Sequence, residues 1–173
     1  MSLFKKFVPD LYVSNIYQIN IEMLKNNGIE GILTDLDNTL VRWDQSDSTD
    51  EIVRWFQQLN NEGIKTVIIS NNNEMRVRGF VGEMNIPFIH KARKPLGRGF
   101  VDGLKTLQLS ANKVAVIGDQ VLTDVLGGNR QGMYTILVDP IGDKEYITTK
   151  INRRIERKIV RYLYRKGLIS WVR

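Results

Sequence analysis

The chain has 173 residues, 42% of them hydrophobic and 25% charged, with a formal net charge of +6; this length and balance suit one domain, residues 1–173. Having no cysteine and a single histidine, His90, it excludes disulfides, thiolate metal sites and cysteine nucleophiles. It also argues against multi-histidine metal centres and phosphohistidine chemistry, which leaves carboxylates for acid–base work.

Residues 1–30 read as an entry segment. Its start, "MSLFKKFVPDLY", lacks the apolar core of a secretory signal, and a helix near 20–27 ends at Gly28. Nowhere does an apolar run approach the roughly 20 residues of a membrane span. A cytoplasmic address is expected, with a peripheral place on the inner face of a membrane left open. From residue 31 short runs rich in Ile and Val alternate with amphipathic ones: "GILTDL" (31–36), "KTVIIS" (65–70), "IPFI" (86–89), "KVAVIG" (113–118) and "YTILVD" (134–139). Continuous apolar runs suit parallel strands covered on both faces. Helices are predicted near 50–61, 73–84, 97–108 and 121–131, with Gly63 and Gly132 at cap positions. The fold class is therefore α/β: a three-layer, Rossmann-like arrangement around a mostly parallel sheet of about five strands, with the α/β core in 31–139.

Ligands of such sheets bind beyond the carboxyl ends of the strands. Four polar clusters fall there: Asp35 and Asp37, then "SNNN" (70–73), "ARKP" (92–95) and "GDQVLTD" (118–124). Any one of them is an ordinary turn or N-cap; four on one rim, with a lysine among the acids, are not. Two carboxylates one residue apart at the lip of a core repel each other, so a cation or a reaction must offset them. "DLDNTL", Ser70, Lys94 and "GDQVLTD" resemble, in order, the four motifs of the haloacid dehalogenase (HAD) superfamily of phosphohydrolases. No cap domain fits the 32 residues between Asp37 and Ser70 or the 23 between Ser70 and Lys94.

The resemblance implies a Mg²⁺-dependent phosphomonoesterase. Asp35 would attack phosphorus to give an aspartyl-phosphate, and Asp37 would protonate the leaving group and then activate water. Mg²⁺ takes oxygen ligands, which suits Asp35, Asp119 and a backbone carbonyl; the superfamily pattern implies that of Asp37. Thr39, Ser70, Asn71 and Lys94 are expected to hold the phosphoryl group, Lys94 also steadying the nucleophile. Asp124 would orient metal-bound water or Lys94. Gln120 stands where some relatives carry another acid, which leaves the count of outer contacts open. Asn38 suits a turn with an unusual backbone conformation, and His90 reads as a packing or surface residue.

Residues 150–173 hold nine Lys or Arg against one acid, Glu156, a net of +8, so the remainder sums to −2. Ile151, Ile155, Ile159 and Leu163 recur every fourth residue beside a stripe of Arg154, Arg157, Arg161 and Arg165, and Tyr162, Tyr164 and Trp171 add aromatic surface. This basic amphipathic helix suits an anionic membrane; alternatively its isoleucines dock it on the body. Removing the tail is expected to spare hydrolysis of a small ester while reducing action on vesicles; equal loss on both substrates would favour the docked helix. An uncapped site suits a phosphate presented by something large. "GILTDLDNTLVRW", "ARKP" and "IGDQVLTDVLGGNRQGMYTILVDPI" resemble the YqeG family of HAD subclass IIIA, which includes mitochondrial and plant phosphatidylglycerophosphate phosphatases. That implies a phospholipid substrate and phosphatidylglycerol as product. Alternatives are a nucleic-acid end or phosphoprotein as substrate, or a non-catalytic protein binding RNA or the ribosome through its tail.

Overall fold

In the computed structural model the described residues are 3–142 and 147–171, the side chains of Leu3 and 147–151 excepted. The strands are β1 (Leu11–Val13), β2 (Gly31–Thr34), β3 (Lys65–Ile69), β4 (Phe88–Ile89), β5 (Val114–Gly118) and β6 (Tyr134–Val138). All neighbours are parallel, in the order β1-β6-β5-β2-β3-β4. The sheet thus has six strands where about five were expected. The extra one, β1, is three residues long and only partly buried. It carries too short a run for alternation to show. Asp10 fastens it to β6, its carboxylate accepting from Thr135 N at 2.7 Å.

The helices are α1 (Ile21–Asn26), α2 (Asp50–Asn61), α3 (Glu74–Val81), α4 (Gly97–Leu107), α5 (Leu126–Gln131), entered through a π-helical turn at Val121–Val125, and α6 (Ile147–Arg165). In α2, Thr49 caps the N-terminus by accepting from Ile52 N, and Ile52, Trp55, Phe56 and Leu59 bury one stripe. Side chains on one sheet face, such as Ile32, Ile68 and Ile117, join a core with α1, α2 and α3. Leu33, Val67 and Val116 point the other way, onto α4. Full burial of a side chain such as Phe80 or Phe100 contributes about 1.5–3 kcal/mol. Among the described residues only a loop, α2 and β3 lie between Asp37 and Ser70, and only α3 and β4 between Ser70 and Lys94.

The C-terminal helix stops at Arg165, and Gly167 turns the chain at φ +66°. It docks on the body, with Val160 and Leu163 packing among Val121, Val125 and Leu137. Its inward stripe overlaps the expected one at Ile159 and Leu163 and departs from it at Ile155. Ile155 is 46% exposed, while Glu156, Val160 and Leu163 are buried. Trp171 is not free surface: it stacks on Tyr12 at 4.4 Å. The side chains of Lys150 and Ile151, and Arg173, lie outside the described residues.

Candidate active site

β2 and β5 are neighbours at the point where strand order reverses: β2, β3 and β4 run out one way, β5, β6 and β1 the other. A crevice opens at such a switch point. Because Thr34 pairs with Ile117, the residues just past both strands, Asp35 and Asp119, meet there. Asp35 N donates to Ile117 O at 2.8 Å. Asn38 takes φ +64°, a left-handed conformation that asparagine tolerates better than most residues, and its N–H bonds Val41 O at 2.7 Å. This turn swings Thr39 back over the rim, its hydroxyl 3.3 Å from Asp35 Oδ2 and 3.4 Å from Asp119 Oδ1. One small group therefore reaches both carboxylates.

Lys94 is buried and its Nζ donates to Asp35 Oδ1 and Asp124 Oδ1, each at 2.6 Å. The remaining oxygen of Asp124 accepts from Gln120 N and Thr123 Oγ1, both at 3.1 Å. Gly118 makes room for this arrangement, since a Cβ there would overlap Asp124 Cγ. Gly118→Ala should therefore push Asp124 off Lys94. Turnover is expected to fall roughly 100-fold, as for a misplacement near 1 Å, and the melting temperature should drop; steady-state kinetics and a thermal melt check both.

Each residue of "SNNN" has its own task. Ser70, at the end of β3, is buried and its Oγ accepts from Asn72 N at 3.0 Å. Asn71 clamps the Lys94 main chain, accepting from its N–H at 2.7 Å and donating to its carbonyl at 3.2 Å. Asn72 donates to Asp37 Oδ2 at 3.1 Å, and Asn73 caps α3 through Arg76 N. Asp35, Asp37, Ser70, Asn71 and Lys94 share one pocket of about 360 Å³, with Trp43, Gln120 and Asn152 on its walls. His90 sits apart, half-buried beside Phe88.

Burial raises the Asp35 carboxyl to about 8; Lys94 pulls it down, while Asp124 and Asp119 push it up. Burial disfavours the Lys94 charge too, yet Asp124 and Asp35 outweigh it and hold the ammonium above the ordinary lysine range. Asp35, Asp119 and Asp124 each offer an oxygen, all within 4.8 Å of one another. Such an all-oxygen, buried, acidic set fits a hard divalent cation. Lys94 takes one oxygen of Asp124 and Gln120 N and Thr123 Oγ1 the other, whereas Asp35 Oδ2 and Asp119 Oδ1 converge on the Thr39 hydroxyl, so Asp35 and Asp119 are the better directed pair.

Four contributors were missed in the sequence. Arg76, in the first turn of α3, puts Nη2 at 2.8 Å and Nε at 3.0 Å from Asp37 Oδ1. Asn72 holds the other oxygen. Arg153, from α6, bonds the Asp119 carboxylate and donates to its carbonyl at 2.6 Å. Glu156 pairs with Arg153 at 3.2 Å and accepts from Leu122 N at 2.9 Å. One signal was available: Glu156 is the lone acid in a strongly basic segment, and a charged residue is buried almost only when it is paired.

Sheet order, strand-end acids and the Lys94 bridge define a phosphatase of the HAD type, and solved structures share its fold. One is the cobalt-bound deoxy-D-mannose-octulosonate 8-phosphate phosphatase of Haemophilus influenzae (TM-score 0.52, 15% identity, 79% of this chain and 90% of that one). Another is a HAD phosphatase of Thermococcus onnurineus (TM-score 0.51, 14% identity, 69% and 90%). Residues 1–142 match the family described as mitochondrial PGP phosphatase, and the chain belongs to it. "Probable phosphatase YqeG" of Bacillus subtilis is 49% identical over 96% of this chain and 97% of its own length. The Arabidopsis thaliana phosphatidylglycerophosphate phosphatase 1 is 26% identical over 95% of this chain, which spans 50% of that protein.

Proposed function

We propose that this enzyme removes the terminal phosphate of phosphatidylglycerophosphate, leaving phosphatidylglycerol and inorganic phosphate. The observation that carries the chemistry is the meeting of Asp35, Asp37, Ser70 and Lys94 in one open pocket at the strand-order reversal. The lipid substrate is supported by the family and by plant and algal relatives bearing that name, at 26% and 28% identity.

Mg²⁺ would be held by the carboxylates of Asp35 and Asp119 and the main-chain carbonyl of Asp37. When bound it would neutralise enough negative charge for a carboxylate to approach an anionic ester. An Asp35 oxygen attacks phosphorus as the ester oxygen departs, and that oxygen takes a proton from Asp37. Asp37 then draws a proton from water, whose oxygen attacks the acyl phosphate; phosphate leaves and Asp35 is restored. Ser70, Thr39 and Lys94 hold phosphoryl oxygens. Asn71 keeps one amide hydrogen for the same purpose while it clamps Lys94. Asp37 must loosen its hold on Arg76 and Asn72 to turn toward the leaving group, which makes Arg76 a positioning residue.

Substrate presentation falls to α6. Arg154, Arg157, Lys158, Arg161 and Arg165 are exposed on its outer face beside Ile155, Tyr162 and Tyr164, a pattern that suits an anionic interface. Among the described residues no helix is long and apolar enough to cross a membrane. Since Asn152 lines the pocket and Arg153 bonds Asp119, deletion of the tail would damage the site itself, contrary to the expectation that a small ester would be spared. The better variant is Arg154→Ser/Arg157→Ser/Arg161→Ser. At roughly 1 kcal/mol for each charge near the surface, phosphate release from anionic vesicles should fall about 100-fold more than release from a soluble ester. An equal effect on both substrates would remove the membrane role.

Phosphate release measured across phosphatidylglycerophosphate vesicles, 5′-phosphorylated RNA, a phosphopeptide and small esters, with Mg²⁺ and with EDTA, tests the whole reading. The lipid in Mg²⁺ should be turned over best. Preference for the RNA would move the same chemistry to nucleic-acid ends.

A further inference from the structure

We propose that Arg153 is a further residue of the cation site, a guanidinium that competes with a divalent ion for Asp119 and so sets the affinity of the site. The inference rests on the reading above that Asp119 binds Mg²⁺.

Asp119 is fully buried, and an ionised carboxylate in that position requires a positive partner. One of its oxygens faces the Thr39 hydroxyl, on the side shared with Asp35. The other accepts from Arg153 Nη2, while Arg153 Nη1 donates to the Asp119 carbonyl at 2.6 Å. Both ends of the guanidinium fork therefore engage one residue, and the charge comes from α6, outside the four motif segments.

A planar monovalent guanidinium satisfies one carboxylate but cannot gather several oxygens around a point, as a small divalent ion does. A divalent ion held by Asp119 would share that carboxylate with Arg153, so each cation would lower the attraction the other feels. Arg153 has somewhere to go. Nη1 is 3.2 Å from Glu156 Oε2, and the other Glu156 oxygen is pinned by Leu122 N at 2.9 Å. Glu156 thus offers Arg153 a buried counter-charge when Asp119 turns to the ion. Val160 and Leu163, further along α6, keep the helix docked, so exchange of partners is confined to its first turns. Asn152, beside Arg153, lines the pocket of Asp35, Asp37, Ser70 and Lys94, so these turns also border that pocket.

The test is calorimetric titration of the cation-free full chain with MgCl₂. Arg153→Met should bind Mg²⁺ roughly tenfold more tightly than wild type, as expected on removing a positive charge a few ångströms away in a partly screened site. Arg153→Lys, which keeps the charge, should stay within about threefold of wild type. Amide hydrogen exchange on wild type needs no variant: Mg²⁺ should speed exchange over residues 150–157 and leave 158–165 unchanged. A dissociation constant for Arg153→Met equal to or weaker than wild type, or exchange over 150–157 that ignores Mg²⁺, overturns the proposal. Those results would leave the phosphatase reading intact if wild type still binds Mg²⁺ and needs it for phosphate release. If wild type neither binds nor needs the ion, the Mg²⁺ reading fails and this proposal with it.

Discussion

Asp35→Asn is expected to lower phosphate release by on the order of 10⁴-fold or more while leaving a folded protein. The amide keeps the shape of the side chain, its oxygen can still accept from Lys94 and its NH2 can donate to the Thr39 hydroxyl, so the turn that carries Asp37 and Asn38 has no reason to collapse. Removal of one of three clustered acids also relieves repulsion with Asp119 and Asp124, which both push the Asp35 carboxyl upward. What disappears is the oxygen nucleophile. Acid-quenched wild type, caught during turnover of a generic phosphate ester in Mg²⁺, should carry acid-stable, hydroxylamine-labile phosphate; Asp35→Asn should carry none. Asp37→Asn makes the useful contrast, because it removes the proton donor and the water-activating base but leaves the nucleophile. With a substrate whose leaving group needs no proton, it should accumulate phosphoenzyme. Normal turnover by Asp35→Asn would dismiss the covalent route, and normal turnover by Asp37→Asn would dismiss that residue as acid and base.

The parts of the site that sequence made visible share one property: each sits at the carboxyl end of an apolar run. Asp35, Asp37, Ser70 and Asp119 follow β2, β3 and β5 directly, so continuous apolar runs that read as parallel strands are enough to place them on one edge. Lys94 was legible because "ARKP" follows the short β4. Arg76, Arg153 and Glu156 were harder because their partners lie far off in the chain. Nothing in the spacing of Arg76 distinguishes it from Arg78, yet Arg76 binds Asp37 while Arg78 pairs with Glu74 on the surface. In α6 the regular apolar run placed Ile159 and Leu163 against the body, as they are, but Ile155 does not follow. The helix turns inward Glu156 instead, with its ion pair to Arg153 and its bond from Leu122 N. A buried charge network thus outweighed the burial of one isoleucine. β1 escaped notice for a simpler reason. Three half-buried residues give no periodicity, and their place is set by Asp10 gripping Thr135.

Lys94→Met should be the most destabilising single change in the site, and its effect on catalysis should be separable from its effect on folding. The ammonium bridges Asp35 and Asp124 at 2.6 Å each, with its own side chain 2% exposed. Methionine fills much the same space and supplies no charge, leaving two buried carboxylates without their counter-ion. Breaking a buried pair in this way costs about 3–5 kcal/mol, a large share of the roughly 5–15 kcal/mol that holds a typical domain together. Urea unfolding in EDTA, where no added divalent cation can stand in for the lysine, should show the loss as a lower midpoint with an unchanged slope. Asp124→Asn in the same chain removes one of the stranded charges yet keeps an acceptor for Gln120 N and Thr123 Oγ1, so the double variant should recover roughly 1–3 kcal/mol. Activity should not follow. The lysine charge facing the phosphoryl group is absent from both variants, and each should remain on the order of 10²–10³-fold below wild type. If the double variant is no more stable than the single one, charge balance is not what Lys94 contributes to the fold. If it regains turnover along with stability, Lys94 acts on the reaction only by holding the site in shape.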